Sequence, residues 1–119
     1  MKYTINEIPP SNNKFIGRTN KWEYQERKKY WALLIWLNCR PRPDKPLEKA
    51  VVTLTYYFAN KIRRDPDNYS GKFILDGLVK AGIIADDSFG NIDLRLCGMV
   101  DKTNPRTEIE VTGGNNNEF

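Results

Sequence analysis

The chain has 119 residues, 39% of them hydrophobic and 29% charged, which are the proportions of one globular domain with its own core. It carries 19 basic and 15 acidic residues, a formal net charge of +4, and no histidine at all. That absence excludes histidine-dependent triads, histidine-bearing zinc sites and imidazole bases, so any chemistry must use carboxylates, lysine, hydroxyls, thiols or a hard metal ion.

The charge suits a polyanion partner without identifying one; its distribution says more. Basic residues crowd into Lys21–Lys29, Arg40–Lys49 and Lys61–Arg64, while acids pair at Asp65/Asp67 and Asp86/Asp87. Acids set beside basic segments suit a phosphate-handling metal site, with ordinary surface patterning as the alternative. The longest apolar run, Tyr30–Leu37, is far short of the roughly 20 residues that cross a bilayer. Met1–Glu7 shows no basic-then-apolar leader, so a soluble, cytoplasmic protein is expected. Cys39 and Cys97 have no second pair for a zinc site, and two reduced, mostly buried thiols are expected.

In chain order, the alternation of Tyr3 and Ile5 with polar neighbours predicts a strand over Lys2–Ile8. Pro9-Pro10-Ser11-Asn12-Asn13 stops it. Good helix formers and the spacing of Tyr24, Trp31, Leu34 and Ile35 predict a helix over Lys21–Asn38. Its second half, Trp31–Leu37, is apolar almost all round and is expected to be buried on two sides, in the core or against a second subunit. Arg40–Pro46 is a proline-broken loop. Ala50–Ala59, rich in Val, Thr and Tyr, is a strand. Asp67 or Asn68 is placed to cap a helix running from Tyr69 to about Ala81, with Gly82 ending it. Ile92–Val100 and Thr107–Thr112 are two more strands, expected to form a hairpin across Asp101–Arg106. The fold class is therefore mixed α/β (α+β): a single domain over residues 1–112, a small mixed sheet with two main helices on one face. Residues 113–119 form a polar tail expected to fray.

The chemistry concentrates in Arg63-Arg64-Asp65-Pro66-Asp67-Asn68-Tyr69-Ser70-Gly71-Lys72 and, later, Asp86-Asp87-Ser88. Asp65 and Asp67 fall between a strand and a helix, where α/β sheets often place ligands. Two apart in an extended segment, they would point the same way. Carboxylates are the preferred ligands of Mg²⁺, which takes one or two of them with waters and substrate phosphate. Lys72 is placed to stabilise a transition state or leaving oxygen, and Arg63 and Arg64 to hold flanking phosphates. Each has a plainer alternative. Asp67-Asn68 can simply cap a helix, and Asp86-Asp87-Ser88 can be only a turn. Lys72, Asp76 and Lys80 have the spacing of a solvated salt-bridge ladder. Trp22, Tyr24, Trp31 and Trp36 can be core rather than base-stacking surfaces.

Four segments taken together resemble the RusA family of Holliday-junction resolvases, found in bacteria and their prophages. They are Pro9–Asn13, Arg64-Asp65-Pro66-Asp67-Asn68, Leu75-Asp76-Gly77-Leu78-Val79-Lys80-Ala81-Gly82, and Asp86-Asp87. The resemblance implies a homodimeric, Mg²⁺-dependent endonuclease, with Mn²⁺ able to substitute, that cuts four-way DNA junctions by paired nicks. It maps the family's acidic site onto Asp65, Asp67 and Asp87, with Asp86 as a further possible ligand, and its catalytic lysine onto Lys72. The DNA-contact set expected beside it is Lys61, Arg63, Arg64, Asn68, Asn13 and Lys14. One departure is an extra residue around Ser70-Gly71, before Lys72, which a local bulge eased by Gly71 would absorb. A nuclease with looser preference for branched or flap DNA, a junction binder that no longer cleaves, and a small structural domain are the other readings.

Overall fold

The computed structural model describes residues 1–15 and 21–114. The elements in chain order are β1 (Lys2–Ile5), α1 (Lys21–Asn38), β2 (Ala50–Phe58), α2 (Lys72–Lys80), β3 (Ile92–Val100) and β4 (Arg106–Gly113), with 3₁₀ turns at Asn12–Phe15 and Pro66–Asn68. The four strands form one mixed sheet in the order β1-β4-β2-β3. Both helices lie on one face of it. Alternation along the strands makes that face: Tyr3, Ile5, Ala50, Val52, Leu54, Tyr56, Ile109 and Val111 turn inward and are buried with Trp31, Ile35, Ile74 and Leu78 of the helices. The opposite face carries Lys2, Thr4, Thr53, Thr55, Glu108 and Glu110 and is open to solvent.

The predicted β3–β4 hairpin does not form. Strand β2 lies between the two, parallel to β3 and antiparallel to β4. Helix α2 supplies the crossover that a parallel β2–β3 pair requires. The short segment after β3 then passes over the end of β2, where the Asp101 amide donates to the Phe58 carbonyl at 2.8 Å. Arg106 fixes this crossing. It is bonded to Asp101 and Glu108 at 2.8 Å each, with its guanidinium 3.8 Å from the Tyr57 ring centroid.

Helix α1 spans the expected residues, but its apolar second half is not covered on two sides. Trp31 and Ile35 are buried, whereas Leu33, Trp36 and Leu37 are 55%, 47% and 58% exposed. The sheet supplies one wall only, so the burial in the core that the sequence allowed is not met for these three. Trp22 is more exposed still, and Arg42 covers Trp36 with its guanidinium 3.9 Å from the ring centroid. The first strand ends at Ile5, three residues before the predicted limit, with Thr107 drawing the next segment in through a hydrogen bond to the Glu7 carbonyl. Cys39 is buried, and burial pushes its thiol up to about 12. Cys97 is exposed on the outward side of the edge strand β3, contrary to the expectation for both thiols. The fourth strand reaches Gly113, one residue into the expected tail; residues 115–119 lie outside the described residues. No described helix is long and apolar enough to cross a membrane.

Candidate active site

Helix α2 starts later than its propensities suggest. Pro66–Asn68 is a 3₁₀ turn of its own, and α2 begins at Lys72 with Gly71 as N-cap in the left-handed region, φ +82°. Pro66 reads as extended from sequence, yet its fixed φ serves the first position of a helical turn equally well. Asp65 and Asp67 are therefore not neighbours along an extended strand. Gly71 is the joint between the two turns. Any side chain there meets both the φ penalty and Leu54, whose Cδ1 would lie 2.3 Å from its Cβ. Further along α2, a Cβ at Gly77 would lie 2.7 Å from Ile35 Cγ1, so glycine allows α1 and α2 to approach. The helix ends as expected: the Gly82 amide donates to Val79 and the Ile83 amide to Leu78, both at 3.0 Å, a Schellman closure.

This geometry removes the capping explanation for the acidic pair. Neither Asp67 nor Asn68 caps α2, and the residue at the start of the 3₁₀ turn, Asp65, makes no side-chain cap hydrogen bond. Asp65 is half exposed and receives Arg63 Nε at 3.2 Å. The Asp67 carboxylate is exposed and makes no hydrogen bond or ion pair among the described residues. The turn is instead anchored by other atoms. Tyr69 packs edge-on against Phe58, centroids 5.2 Å apart, and against Tyr56 at 5.8 Å. Arg64 braces the preceding loop: it donates to the Asn60 and Ile62 carbonyls and to Asn60 Oδ1, with its guanidinium 4.2 Å from the Phe58 ring centroid. From the other side, Asn12 Nδ2 donates at 3.0 Å to both the Asp67 carbonyl and Ser70 Oγ.

Lys72, the first residue of α2, turns toward α1 rather than along its own helix. Its ammonium lies 5.4 Å from the Tyr24 ring centroid, in a cleft of about 230 Å³ that Asn12, Tyr24 and Phe73 complete. Tyr24, first by hydrogen bonding and then by charge, raises the Lys72 pKa above the ordinary lysine value; slight desolvation opposes this, and the fields of Asp76 and Asp87 add to it. The salt-bridge ladder does not form: Asp76 pairs instead with Lys28 of α1, at 3.7 Å. A lysine held protonated is a positive charge and a proton donor at neutral pH, and does not serve as a base.

The second acidic pair precedes β3, whose first residue pairs with Ala50 at the start of β2. Here the two carboxylates differ. Asp86 Oδ1 accepts the Asp87 amide at 2.8 Å, and Ser88 Oγ meets Asn91 Oδ1 at 2.6 Å, so Asp86, Ser88 and Asn91 build the turn. Asn91 also ties it to the Glu48 carbonyl. The Asp87 carboxylate has no bonding partner among the described residues and is exposed, as is Phe89 beside it.

Among the described residues, no three acidic or cysteine side chains gather into a group able to hold a metal ion, so Asp65, Asp67 and Asp87 do not form a ready-made three-ligand cage. Of the expected DNA contacts, Lys61, Arg63 and Asn13 are exposed, Asn68 is part-buried, and Lys14 is paired with Glu23 at 2.8 Å. Asn12 and Tyr24 flank these groups, yet the sequence named them only within the Pro9–Asn13 segment and among the aromatics read as core or base-stacking, with no site role of their own.

The mixed α/β domain thus carries an acidic turn beside a strand end, a charged lysine at the start of the next helix, and a second acidic turn before β3. The chain belongs to the RusA family: the family model described as endodeoxyribonuclease RusA matches residues 7–112 of 119. Membership makes it a nuclease of the class that acts on DNA junctions. No curated protein matches it.

Proposed function

We propose that the protein is a Mg²⁺-dependent endodeoxyribonuclease that resolves four-way DNA junctions by paired, symmetric nicks, in recombination or repair of a bacterial or phage chromosome. The observation that carries this reading is that, among the described residues, the carboxylates of Asp67 and Asp87 have no capping or pairing duty, while neighbouring residues hold their backbones. Exposed carboxylates kept free in this way suit a ligand role.

We assign Asp65, Asp67 and Asp87 as metal ligands and leave Asp86 to its turn. Mg²⁺ takes one or two carboxylates, with waters and substrate phosphates completing its shell, so three converging carboxylates are not needed before DNA binds. When bound, the ion supplies Lewis acidity toward the scissile phosphate and a more acidic water. Arg63 orients Asp65. Lys72, kept charged by Tyr24, stabilises the negative charge that builds on the phosphate or the leaving oxygen. Lys61 and the exposed edge of Asn13 contact flanking phosphates.

A junction has approximate two-fold symmetry, so a C₂ homodimer would set one site on each of two opposed strands. The exposed Leu33, Trp36 and Leu37 of α1 are the surface we assign to it. Leu33→Glu or Leu37→Glu should yield monomers by light scattering; an intact dimer would remove α1 from the interface.

The deciding experiment is cleavage of a labelled synthetic four-way junction beside linear duplex, with Mg²⁺, Mn²⁺ or EDTA. Symmetric, metal-dependent nicks on the junction are expected. Equal cutting of flaps would point to a broader branched-DNA nuclease, and binding without any product to a non-cleaving junction binder.

A further inference from the structure

The segment Pro9–Asn13 carries no charge beyond its neighbours and lies over fifty residues from the acidic turn in sequence, yet it touches that turn directly. Pro9 is buried and Pro10 part-buried, which fixes where the segment runs. Ser11 then organises the 3₁₀ turn: its hydroxyl accepts the Asn13 amide at 3.2 Å and its carbonyl the Lys14 amide at 3.1 Å. Asn12, first in that turn, is left with its side chain aimed at Asp67 and Ser70.

Both hydrogens of the Asn12 amide nitrogen are used, one on a main-chain carbonyl and one on a hydroxyl. The assignment of nitrogen and oxygen is fixed by chemistry, because the Asp67 carbonyl can only accept and a reversed amide would set two acceptors face to face. The same side chain lines the cleft that holds Lys72. One asparagine thus joins the backbone of a candidate ligand, the residue that precedes the Gly71 joint, and the wall beside the candidate catalytic lysine.

We infer that Asn12 is a positioning residue for the nuclease reaction: through the Asp67 carbonyl and the Ser70 hydroxyl it fixes the acidic turn relative to Lys72, without touching the reacting atoms. This rests on the junction-cutting reading above. Among the described residues the Asp67 carboxylate has no bond of its own to hold it, so its direction is set by its backbone, and Asn12 is the side chain that grips that backbone. Loosening the grip should slow the chemical step more than it weakens DNA binding.

The test compares wild type, Asn12→Ala, Ser70→Ala and the double variant on a synthetic four-way junction with Mg²⁺. Amide hydrogen exchange is followed at Asn68 and Tyr69, whose N–H groups close the turn onto Asp65 and Pro66. Asn12→Ala should lower kcat roughly 10–100-fold, as outer-shell changes do, with KM little changed and faster exchange confined to the turn. Ser70→Ala should cost less, and the double variant should be no worse than Asn12→Ala, since both remove one network. Unchanged kcat, fully additive losses, or lost protection throughout β2 would each overturn the positioning role. If wild type cuts no junction, the functional reading fails and the role falls with it. Equal cutting by wild type and Asn12→Ala overturns the role alone.

Discussion

The layer between sheet and helices and the rim that carries the acidic turns are built by opposite rules. In the layer, side chains do the holding: Trp31, Ile35, Leu54, Ile74 and Leu78 are at most 1% exposed and interlock directly. On the rim, main-chain carbonyls and amides are held so that certain side chains are not. Asn12 grips the Asp67 carbonyl, Asp86 the Asp87 amide, and Asn91 the Glu48 carbonyl. A carboxylate with no structural partner among the described residues, on a backbone that has several, is where the proposed activity would separate from stability.

The sharpest test of that separation pairs one substitution from each region. Asp67→Asn should abolish junction cleavage, keep or strengthen DNA binding by removing a negative charge near phosphates, and leave the thermal midpoint unchanged. Trp31→Ala should do the reverse. It should lose about 3–5 kcal/mol of stability, while the molecules still folded cut at the normal rate. Denaturant melts and single-turnover cleavage on the same preparations read both. A lower midpoint for Asp67→Asn would give its carboxylate a structural duty that the geometry denies.

Lys72 sits on the border, since its helix belongs to the layer and its ammonium to the rim. Lys72→Ala should lower kcat roughly 10²–10³-fold, the usual cost of removing one preorganised charge donor. Lys72→Arg should recover only part, because a planar guanidinium does not replace a point charge beside Tyr24. Because the Lys72 pKa is raised, the ammonium stays charged throughout the neutral range and is lost only as pH rises above the ordinary lysine value. No cleavage change assignable to Lys72 should therefore occur between about pH 6 and 9. A basic limb inside that window that vanishes in Lys72→Ala would make the lysine a base.

How far the sequence anticipated all this follows the same division. The alternation in Ala50–Phe58 and the α1 and α2 periodicities were legible because burial repeats along a strand or helix. The pairing of β3 and β4 was not, because a short connection suggests a hairpin and nothing local says that β2 takes both neighbours. At the site, residue types in Asp65–Lys72 pointed to phosphate chemistry. The 3₁₀ turn, the Gly71 joint and the Asn12 bridge depend on contacts between segments far apart in sequence. Exposure on β3 also escaped notice, since a cysteine among Leu94 and Leu96 reads as core until the strand is seen to be an edge.

That last difference gives a thiol test of layer against surface. Cys97 is exposed, whereas Cys39 is buried with its thiol pushed up to about 12, so the native protein should react quickly with one equivalent of a thiol reagent near pH 8. The second should react only at the rate of global opening, or at once in denaturant. Trp31→Ala, by lowering the cost of opening, should speed the Cys39 reaction and leave Cys97 unchanged.

The smallest effect concerns the crossing of the β3–β4 connection over β2. Asp101 accepts from Arg106, Thr103 and the Asn104 amide, and these bonds, the arginine first, lower its pKa below the ordinary aspartate value. A carboxyl depressed in the folded state adds stability that is present above its unfolded value near 3.8 and is lost as pH falls through the folded value. Asp101→Asn should therefore flatten the acid side of the stability profile below about pH 4 and lower stability slightly at neutral pH, as fits a solvent-accessible ion pair at the surface. Cleavage at pH 7 should be untouched, because Asp101 caps the open end of β2 through the Phe58 carbonyl and, among the described residues, makes no hydrogen bond to either acidic turn. An acid limb as steep as wild type would mean that Arg106 holds the crossing through Glu108 and the Tyr57 ring instead.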